Sequence, residues 1–546
     1  MTPVKGIVAR ANKRLTIQLA AFLLAGSALL SSLLGLFRDR LFNADYYLTY
    51  PTGADAYTVA FIIPDFMFFL LVSGALSVTF IPVFNERLGH GNKKSAWELT
   101  SSMINLMAIL TLAASLLIII FAEPLVQYVV GPGLDETGRG LAASMMRVIA
   151  INPFLFAIAS VLASMQQAVG RFTFFALAPV LYNVGIIIGI TVFTEGIWIG
   201  GQQIFEGGIM GVALGVVLGS IMHLIVCSIG IIGLGFDYDF KIHWKHKGFR
   251  QVLKLLPPRS IDQGIDYINT IVEINIASRL VAGSVRAYQQ ALTLHMVPVT
   301  LIGVAISTAA FPKMTERLAA GRSDLFKKEL QTILRVIIWL ALPTAVIAFF
   351  TRGYLVNFLV SGGDQKMANV LGVLAIAILF RSIYHIAARS FYAQQDTKTP
   401  LYTSIATIAL NIMLAVYFVM VLKLDIYGLA LAQSLVTIFE VMLLFIIMSA
   451  RIKGMFDIVF VHGVARMVSA AGLMGIVCYI SVKILELTAE DQSFLATFPK
   501  FAIIVAISLG SYLLISKWFK LSEADPIIDR TVKAAFKQYK PTAPSS

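Results

Sequence analysis

Runs of about 20 apolar residues recur along this 546-residue chain and constrain its fold more than any other feature. A helix of that length crosses a hydrocarbon core of roughly 30 Å. Because lipid offers no hydrogen-bond partner to exposed backbone N–H and C=O groups, such runs must be helical. With 58% hydrophobic and 13% charged residues, the chain has more apolar surface than a soluble fold can bury. The sequence therefore predicts an all-α polytopic membrane protein.

The apolar runs predict about fourteen transmembrane helices. Their expected bounds are 16–37, 57–84, 101–121, 141–168, 175–194, 207–233, 260–282, 288–312, 331–350, 368–392, 400–422, 427–449, 458–483 and 499–516. If the N-terminus is cytoplasmic, the inner segments hold about 28 Lys and Arg residues and the outer segments about 7. This asymmetry fits an even number of spans, with both termini cytoplasmic. The net charge of +13 is thus a topology signal, and no nucleic-acid partner is expected.

An internal repeat divides the chain. The segment that begins at Pro82 recurs at Pro312, 230 residues later, and Asn183 recurs as Asn411 after 228 residues. Six spans per repeat give two parallel lobes, which place a substrate cavity between them and permit alternating access. A duplicated scaffold without transport is the alternative. The expected parts are a basic cytoplasmic N-terminus 1–15, an N-lobe 16–233, a basic cytoplasmic linker 234–259, a C-lobe 260–449, a C-terminal helix pair 458–516 and a cytoplasmic tail 517–546.

The seventh span carries a polar stripe. Asp262, Asp266, Asn269 and Glu273 follow one another at intervals of four, three and four, which places them on one helical face. A charge at bilayer depth costs on the order of 3 kcal/mol, so these groups need partners or a cavity. Carboxylate and amide oxygens suit a coupling cation such as Na⁺ or H⁺, and Asn411 joins this candidate ion-coupling set. The alternative is a set of salt bridges, with Arg147, Arg279 or Arg381 as partners.

Buried arginines are the candidate anion ligands. A guanidinium at membrane depth can hold phosphate in a bidentate manner, and Arg381 and Arg147 lie inside predicted spans. Arg381 can instead pair with Glu440, which is similarly deep. At the outer end of the first span, Arg38 and Asp39 mark either the membrane interface or a site.

Enzyme chemistry has no support in the sequence. There is no nucleotide-binding loop, the seven histidines lack metal-ligand spacing, and Cys227 and Cys478 lie alone in predicted spans. We therefore expect no catalytic residues, metal site or cofactor, apart from a coupling Na⁺ or H⁺. A membrane enzyme acting on lipid carriers would usually need larger outer loops, and it remains the second functional class.

Several motifs together resemble the MurJ (MviN) family of the multidrug/oligosaccharidyl-lipid/polysaccharide exporter superfamily. The sharpest is Phe391-Tyr-Ala393 followed by Asp396-Thr-Lys-Thr-Pro400. The resemblance covers about residues 20–450. The other matching segments are Ser31 to Asp39, Ala54-Asp-Ala56 with Pro64, Gly74 to Pro82, Gly170-Arg-Phe172 with Pro179 and Asn183, Leu255 to Pro257, Ile268 to Thr270 and Gly283 to Val285.

The resemblance implies a lipid II flippase of the bacterial cytoplasmic (inner) membrane. Such a protein moves the undecaprenyl-diphosphate-linked peptidoglycan precursor outward, driven by membrane potential or an ion gradient, with the last two helices forming a groove for the polyprenyl tail. Membrane lipids and cell-wall synthesis enzymes are the other partners it implies. The candidate substrate-binding residues are Arg38, Asp39, Asp55, Asp65, Arg147 and Arg381.

The chain departs from the family pattern at several cavity positions. The family usually has arginine where this chain has Ser32, Phe68 and Phe69, and an arginine and a glutamate where it has Thr293 and Met296. Arg381 or Arg286 can compensate for the lost charge. The alternatives are therefore an exporter of another polyprenyl-linked oligosaccharide, a cation-coupled small-molecule antiporter of the same superfamily, and a scaffold that recruits envelope enzymes without transport.

Overall fold

The structure, a computed structural model, describes residues 12, 16–73, 79–199, 202–452, 454–488 and 490–525, and of residues 17, 18, 21, 73, 199, 257–263, 265 and 266 it describes the backbone alone. The chain divides into two compact units, with the division between Arg286 and Ala287. The helices up to the division are α1 (Ile17–Phe42), α2 (Pro51–Phe68), α3 (Ile81–Gly89), α4 (Lys93–Pro124), α5 (Glu136–Ile149), α6 (Asn152–Ala168), α7 (Thr173–Thr191), α8 (Ile209–Gly230) and α9 (Lys247–Ala277), and α10 (Ser284–Val299) begins just before it.

The second unit contains the remaining helices. In order they are α11 (Ala305–Ala319), α12 (Ser323–Phe350), α13 (Arg352–Asn357), α14 (Gln365–Ala393), α15 (Lys398–Val416), α16 (Ile426–Arg451), α17 (Ile458–Ile484) and α18 (Phe494–Trp518). Short π-helical turns lie at Asn43–Tyr47, Phe69–Ser73, Leu125–Val130, Thr300–Val304 and Tyr417–Val421, a 3-10 turn at Phe193–Glu195, and a two-stranded antiparallel hairpin joins β1 (Ile197–Ile199) to β2 (Gln202–Phe205).

The predicted membrane architecture is confirmed. Among the described residues, 13 helical segments are long and apolar enough to cross a membrane. The seventh predicted span lies in α9, a helix of 31 residues that is not among these 13 segments.

Several helices extend beyond their predicted bounds, among them α4 and α9. The π turn at Leu125–Val130 lengthens α4, whereas the apolar run predicted only 101–121. The helix α9 begins at Lys247, inside the segment predicted to be a linker, because its first turns are too polar for a hydropathy pattern to mark. Through contacts with α2, α3 and α4, α9 belongs to the first compact unit, whereas the repeat pattern placed the start of the C-lobe at residue 260.

A glycine seam brings α7 and α8 into backbone contact. Gly211, Gly215 and Gly219 line one face of α8 at intervals of four residues. A Cβ atom added to Gly185 would lie 2.3 Å from the Cα atom of Gly219, and one added to Gly189 would lie 2.5 Å from the Cα atom of Gly215. Small residues allow such close helix packing in membranes, where van der Waals contact, and not the hydrophobic effect, drives helices together.

The predicted repeat is visible in local backbone geometry. The π turns at Phe69–Ser73 and Thr300–Val304 lie 231 residues apart, close to the offset of the sequence repeat. In each copy a proline, Pro64 or Pro298, precedes the π turn within the preceding helix. Proline removes a backbone donor, and π turns commonly absorb the resulting break.

The C-terminal helix pair packs on α12. Trp339 on α12 donates its indole N–H to the Ser516 hydroxyl at 3.1 Å, and Tyr512 donates its hydroxyl to the Trp339 carbonyl at 3.0 Å. Both rings are buried and lie 5.6 Å apart. These contacts fix α18 against the core of the second unit.

Candidate functional site

At the end of α1, Asp39 is shared by two arginines. Arg38 donates from Nε at 3.2 Å and from Nη2 at 3.0 Å to the Oδ1 atom of Asp39. Arg286 donates from Nη2 to the same oxygen at 3.3 Å. Since the side chain of Arg38 is 24% exposed and that of Arg286 is 6% exposed, Arg38 is the more accessible cation.

Neighbouring side chains fix both guanidinium groups. Arg38 donates from Nη1 to the Oδ1 atom of Asn183 on α7 at 3.0 Å. Arg286 donates from Nε to the Oδ1 atom of Asn43 at 3.0 Å, and its Cζ atom lies 4.6 Å from the centre of the Phe42 ring. Planar guanidinium groups suit such simultaneous polar and aromatic contacts. The orientation of Arg38 is therefore preorganised.

Asp55 on α2 binds the start of α10. Its carboxylate accepts the backbone N–H of Gly283 at 2.7 Å and that of Arg286 at 2.8 Å. The first N–H groups of a helix have no partner within the helix, and a carboxylate there also interacts favourably with the helix dipole. Asp55 thus caps α10 from another helix. The structure joins three of the predicted substrate-binding residues, Arg38, Asp39 and Asp55, through Arg286.

Asp65 lies farther along α2, beside an aromatic cluster. The Tyr267 hydroxyl lies 3.5 Å from its Oδ2 atom. The Tyr267 ring stacks on Phe69 at 5.2 Å, and Phe68 contacts Phe156 at 5.8 Å. Rings therefore pack together at Phe68 and Phe69, where the family pattern has arginines.

Arg147 does not join the hydrogen-bond network of Arg38. It donates from Nη2 to the Oε1 atom of Glu123 at 2.8 Å and from Nε to the Ile119 carbonyl at 3.3 Å, both on α4. The side chains of Arg147 and Glu123 are 38% and 69% exposed.

The polar stripe of α9 is described in part. Asn269 donates from Nδ2 to the Oε1 atom of Glu273 at 3.1 Å, and Glu273 is buried, so these two residues share a helical face as predicted. The side chains of Asp262 and Asp266 lie outside the described residues. Of the arginines weighed as partners for the stripe, Arg279, two residues past the end of α9, contacts Asn275 on that helix.

In the second unit, Arg381 pairs with Glu440, which was the alternative to a role of Arg381 in binding phosphate. Arg381 on α14 donates from Nη1 to the Oε2 atom of Glu440 on α16 at 3.3 Å. The other carboxylate oxygen accepts the hydroxyl groups of Ser404 at 3.1 Å and Thr407 at 3.3 Å, both on α15. The carboxylate of Glu440 is thus bonded by three side chains. Asn411 is also buried on α15.

Some participants had little signal in the sequence. The sequence did not predict a role for Asn43 or Tyr267, because their roles depend on contacts between distant segments. Asn183 was found as a member of the internal repeat and of a family motif, and neither indicated its contact with Arg38. Among the residues that the structure describes, no group of three or more His, Cys, Asp or Glu side chains is placed to hold a metal ion.

The family model of the lipid II flippase MurJ matches residues 45–498. The chain belongs to the MurJ lipid II flippase family. The resemblance inferred from motifs is thereby confirmed, and the match reaches past the expected limit near residue 450 into the C-terminal helix pair.

Individual relatives agree with this family assignment. A probable lipid II flippase MurJ from Thermotoga maritima is 25% identical over 510 residues, which are 92% of this chain and 96% of the relative. A structure of the lipid II flippase MurJ in an inward closed conformation is 26% identical, with a TM-score of 0.73, over 91% of this chain and 98% of the other. Membership makes this chain a multi-span membrane protein of a transporter family.

A transporter outside this family has a similar fold. An inward-facing multidrug resistance MATE family transporter of the MOP superfamily is 15% identical, with a TM-score of 0.65, over 78% of this chain and 96% of the other. At this identity the likeness concerns the fold alone.

Proposed function

We propose that this chain is a lipid II flippase that moves the undecaprenyl-diphosphate-linked peptidoglycan precursor from the inner to the outer leaflet by alternating access. The observation that carries this proposal is the family match over residues 45–498. Its location is the bacterial inner membrane, with both termini cytoplasmic, which the distribution of Lys and Arg supports. Cell-wall synthesis enzymes are partners in the same proposal.

Arg38 is the residue we assign to the diphosphate. Its guanidinium is partly exposed, and its hydrogen bonds to Asp39 and Asn183 hold it in one orientation before the ligand binds. Arginine holds phosphate through two parallel N–H···O bonds that are about twice as strong as neutral hydrogen bonds. Asp39, Asp55 and Asp65 position this region. Arg147 and Arg381 are further candidates, whose present partners are Glu123 and Glu440.

For coupling, we assign a cation, Na⁺ or H⁺, to Asp262, Asp266, Glu273 and Asn411. Support comes from the helical spacing of the three carboxylates and from the burial of Glu273 and Asn411. Oxygen ligands of this kind suit hard cations.

The test is outward movement of labelled lipid II in cells depleted of their own flippase. Cells that carry this chain should move lipid II, and Arg38→Ala should reduce the rate about tenfold or more, because a charge-assisted phosphate contact is lost. Arg322→Ala, which removes an exposed arginine paired with Asp324, is the matched control and should transport normally. No transport by the parent chain at normal membrane abundance would contradict the proposal.

A second candidate substrate is another polyprenyl-linked oligosaccharide. The aromatic packing of Phe68 and Phe69, at positions where the family usually has arginine, favours this candidate. It would be supported if vesicles containing the chain moved a different polyprenyl-diphosphate sugar but not lipid II.

A further inference from the structure

The segment between α8 and α9 is fastened to the start of α4. Asn105 donates from Nδ2 to the Asp239 carbonyl at 2.8 Å, and the Ser101 hydroxyl accepts the Asp239 N–H at 3.1 Å. The Ser102 hydroxyl accepts the His243 N–H at 2.9 Å. These contacts to its backbone give the segment a defined conformation, so the side chains that it exposes have fixed positions relative to one another.

Two large aromatic side chains point away from this anchor. Phe240 is 85% exposed and Trp244, four residues later, is 56% exposed. Trp244 is held in place because its carbonyl accepts the Nε–H of Arg250 at 2.8 Å and its ring contacts Phe249 at 5.7 Å. Aromatic rings exposed in this way are typical of the membrane–water interface, where an amphipathic ring sits at the level of the headgroups.

Basic side chains surround the two rings. Lys241 and Lys245 are exposed in the segment itself. The first turns of α9 are amphipathic: Phe249, Val252 and Leu256 are buried, whereas Lys247, Arg250 and Lys254 are exposed at helical spacing. Two carboxylates lie in the same stretch, Asp239, which contacts His243 at 2.9 Å, and the exposed Asp237, so the five basic side chains outnumber the acidic ones. The surface is therefore cationic.

The length of α4 places this surface near the headgroups. Its 32 residues span about 48 Å at about 1.5 Å per residue. A hydrocarbon core of roughly 30 Å leaves about 18 Å of helix outside the core. Ser101, Ser102 and Asn105, which anchor the segment, lie in the third and fourth turns of α4.

We propose that this basic aromatic surface (Phe240, Lys241, Trp244, Lys245, Lys247, Arg250 and Lys254) binds the headgroups of anionic phospholipids in the adjacent leaflet. The rings enter the interface while the ammonium and guanidinium groups contact lipid phosphates. Lysine is depleted from protein–protein interfaces, so a surface with four lysines fits a lipid leaflet better than a protein partner. The inference goes beyond substrate transport and does not depend on which lipid-linked sugar is moved.

Quenching of Trp244 fluorescence tests the proposal. The full chain is placed in lipid nanodiscs that contain equal mole fractions of phosphatidylglycerol and phosphatidylcholine, with one or the other lipid brominated. Subtraction of the Trp244→Phe signal isolates this residue from the other tryptophans. Brominated phosphatidylglycerol should quench Trp244 more strongly, corresponding to about fivefold local enrichment. Nanodiscs expose both faces of the protein, so the result does not depend on its orientation.

Two manipulations should remove the preference for the anionic lipid. The triple variant Lys241→Gln, Lys245→Gln, Lys247→Gln should quench equally with both lipids, and high salt should have the same effect on the unmodified chain. The control variant Lys313→Gln, Arg322→Gln, Lys328→Gln removes equal charge elsewhere and should keep the preference. Equal quenching of the parent by both lipids would overturn the anionic selectivity. No quenching of Trp244 by either lipid would overturn membrane contact and leave the surface to a protein partner.

Discussion

The carboxylate of Asp55 accepts the backbone N–H of Arg286 at 2.8 Å, although 231 positions separate the two residues in the chain. The same carboxylate accepts the N–H of Gly283 at 2.7 Å. One side chain of α2 therefore satisfies two donors at the start of α10, and the side chain of Arg286 then reaches Asp39.

Replacement of Asp55 by alanine should lower the free energy of unfolding by about 2 kcal/mol or more, because two buried N–H groups lose their acceptor. Asp55→Asn keeps one acceptor and should cost about 1 kcal/mol. Unfolding of the purified chain in detergent measures both. Asp45→Ala, at an exposed carboxylate nearby, should stay within about 0.5 kcal/mol of the parent. Equal losses at positions 45 and 55 would contradict the capping role.

Arg38→Lys should impair lipid II transport although it keeps the charge. Lysine cannot contact Asp39 and Asn183 and also present a planar pair of donors to a diphosphate. We expect the apparent KM for lipid II to rise about tenfold in vesicles, with a smaller change in the maximal rate. Arg322→Lys, the same substitution at an exposed position, is the control and should leave the KM unchanged. An unchanged KM would place the diphosphate elsewhere.

The Arg381 and Glu440 pair should behave as a buried ion pair. Arg381→Ala leaves the carboxylate of Glu440, which is 4% exposed, without its cation, and should destabilise the second unit by about 3 kcal/mol. The double variant Arg381→Met, Glu440→Leu should recover most of that loss, since apolar pairs often replace buried ion pairs without cost. Thermal unfolding of the parent, the single variants Arg381→Met and Glu440→Leu, and the double variant gives the coupling energy. Additive losses would show that the two side chains act independently.

The glycine seam gives a prediction with an internal control. Gly215→Ala places a Cβ atom 2.4 Å from the Cα atom of Gly189, so α7 and α8 must separate. We expect a loss of about 2 kcal/mol or more in unfolding free energy. Gly510→Ala, with no atom within 4 Å of the added Cβ, should be neutral or stabilising by about 0.5–1 kcal/mol through helix propensity. Similar effects of the two substitutions would argue against close packing.

The loop between α17 and α18 should open as the pH falls. Lys500 donates to the carboxylate of Asp491 at 2.7 Å, as does the N–H of Thr488 at 2.7 Å, and together they lower the pKa of Asp491 to about 2. The lowered pKa means that this stabilisation is present above the ordinary pKa of 3.8 and is lost as the pH falls towards about 2. Hydrogen exchange at the Thr488 amide, corrected for intrinsic rates, should accelerate across that window.

Two variants separate this effect from general acid sensitivity. Asp491→Asn should exchange about tenfold faster at neutral pH and show little further dependence on acid. Glu490→Gln changes an exposed neighbour and should leave the exchange of Thr488 as in the parent.

The sequence was sufficient for the architecture because hydropathy and charge asymmetry are local properties of each span. It also offered the pairing of Arg381 with Glu440 as one of two alternatives, since both residues lie at a similar depth. It did not join Asp39 to Arg286 or Asp55 to the start of α10, because those contacts depend on where distant segments meet. The early start of α9 was missed because amphipathic turns outside the membrane lack a continuous apolar run.

The two π turns that follow Pro64 and Pro298 also bear on ancestry. Their sequences, FLLVS and TLIGV, share only the leucine at the second position, yet the same widened turn occurs at nearly the same point of each repeat. A backbone irregularity that both repeats keep, although four of its five residues differ, is what duplication of a half-length chain with a break in its second helix would leave.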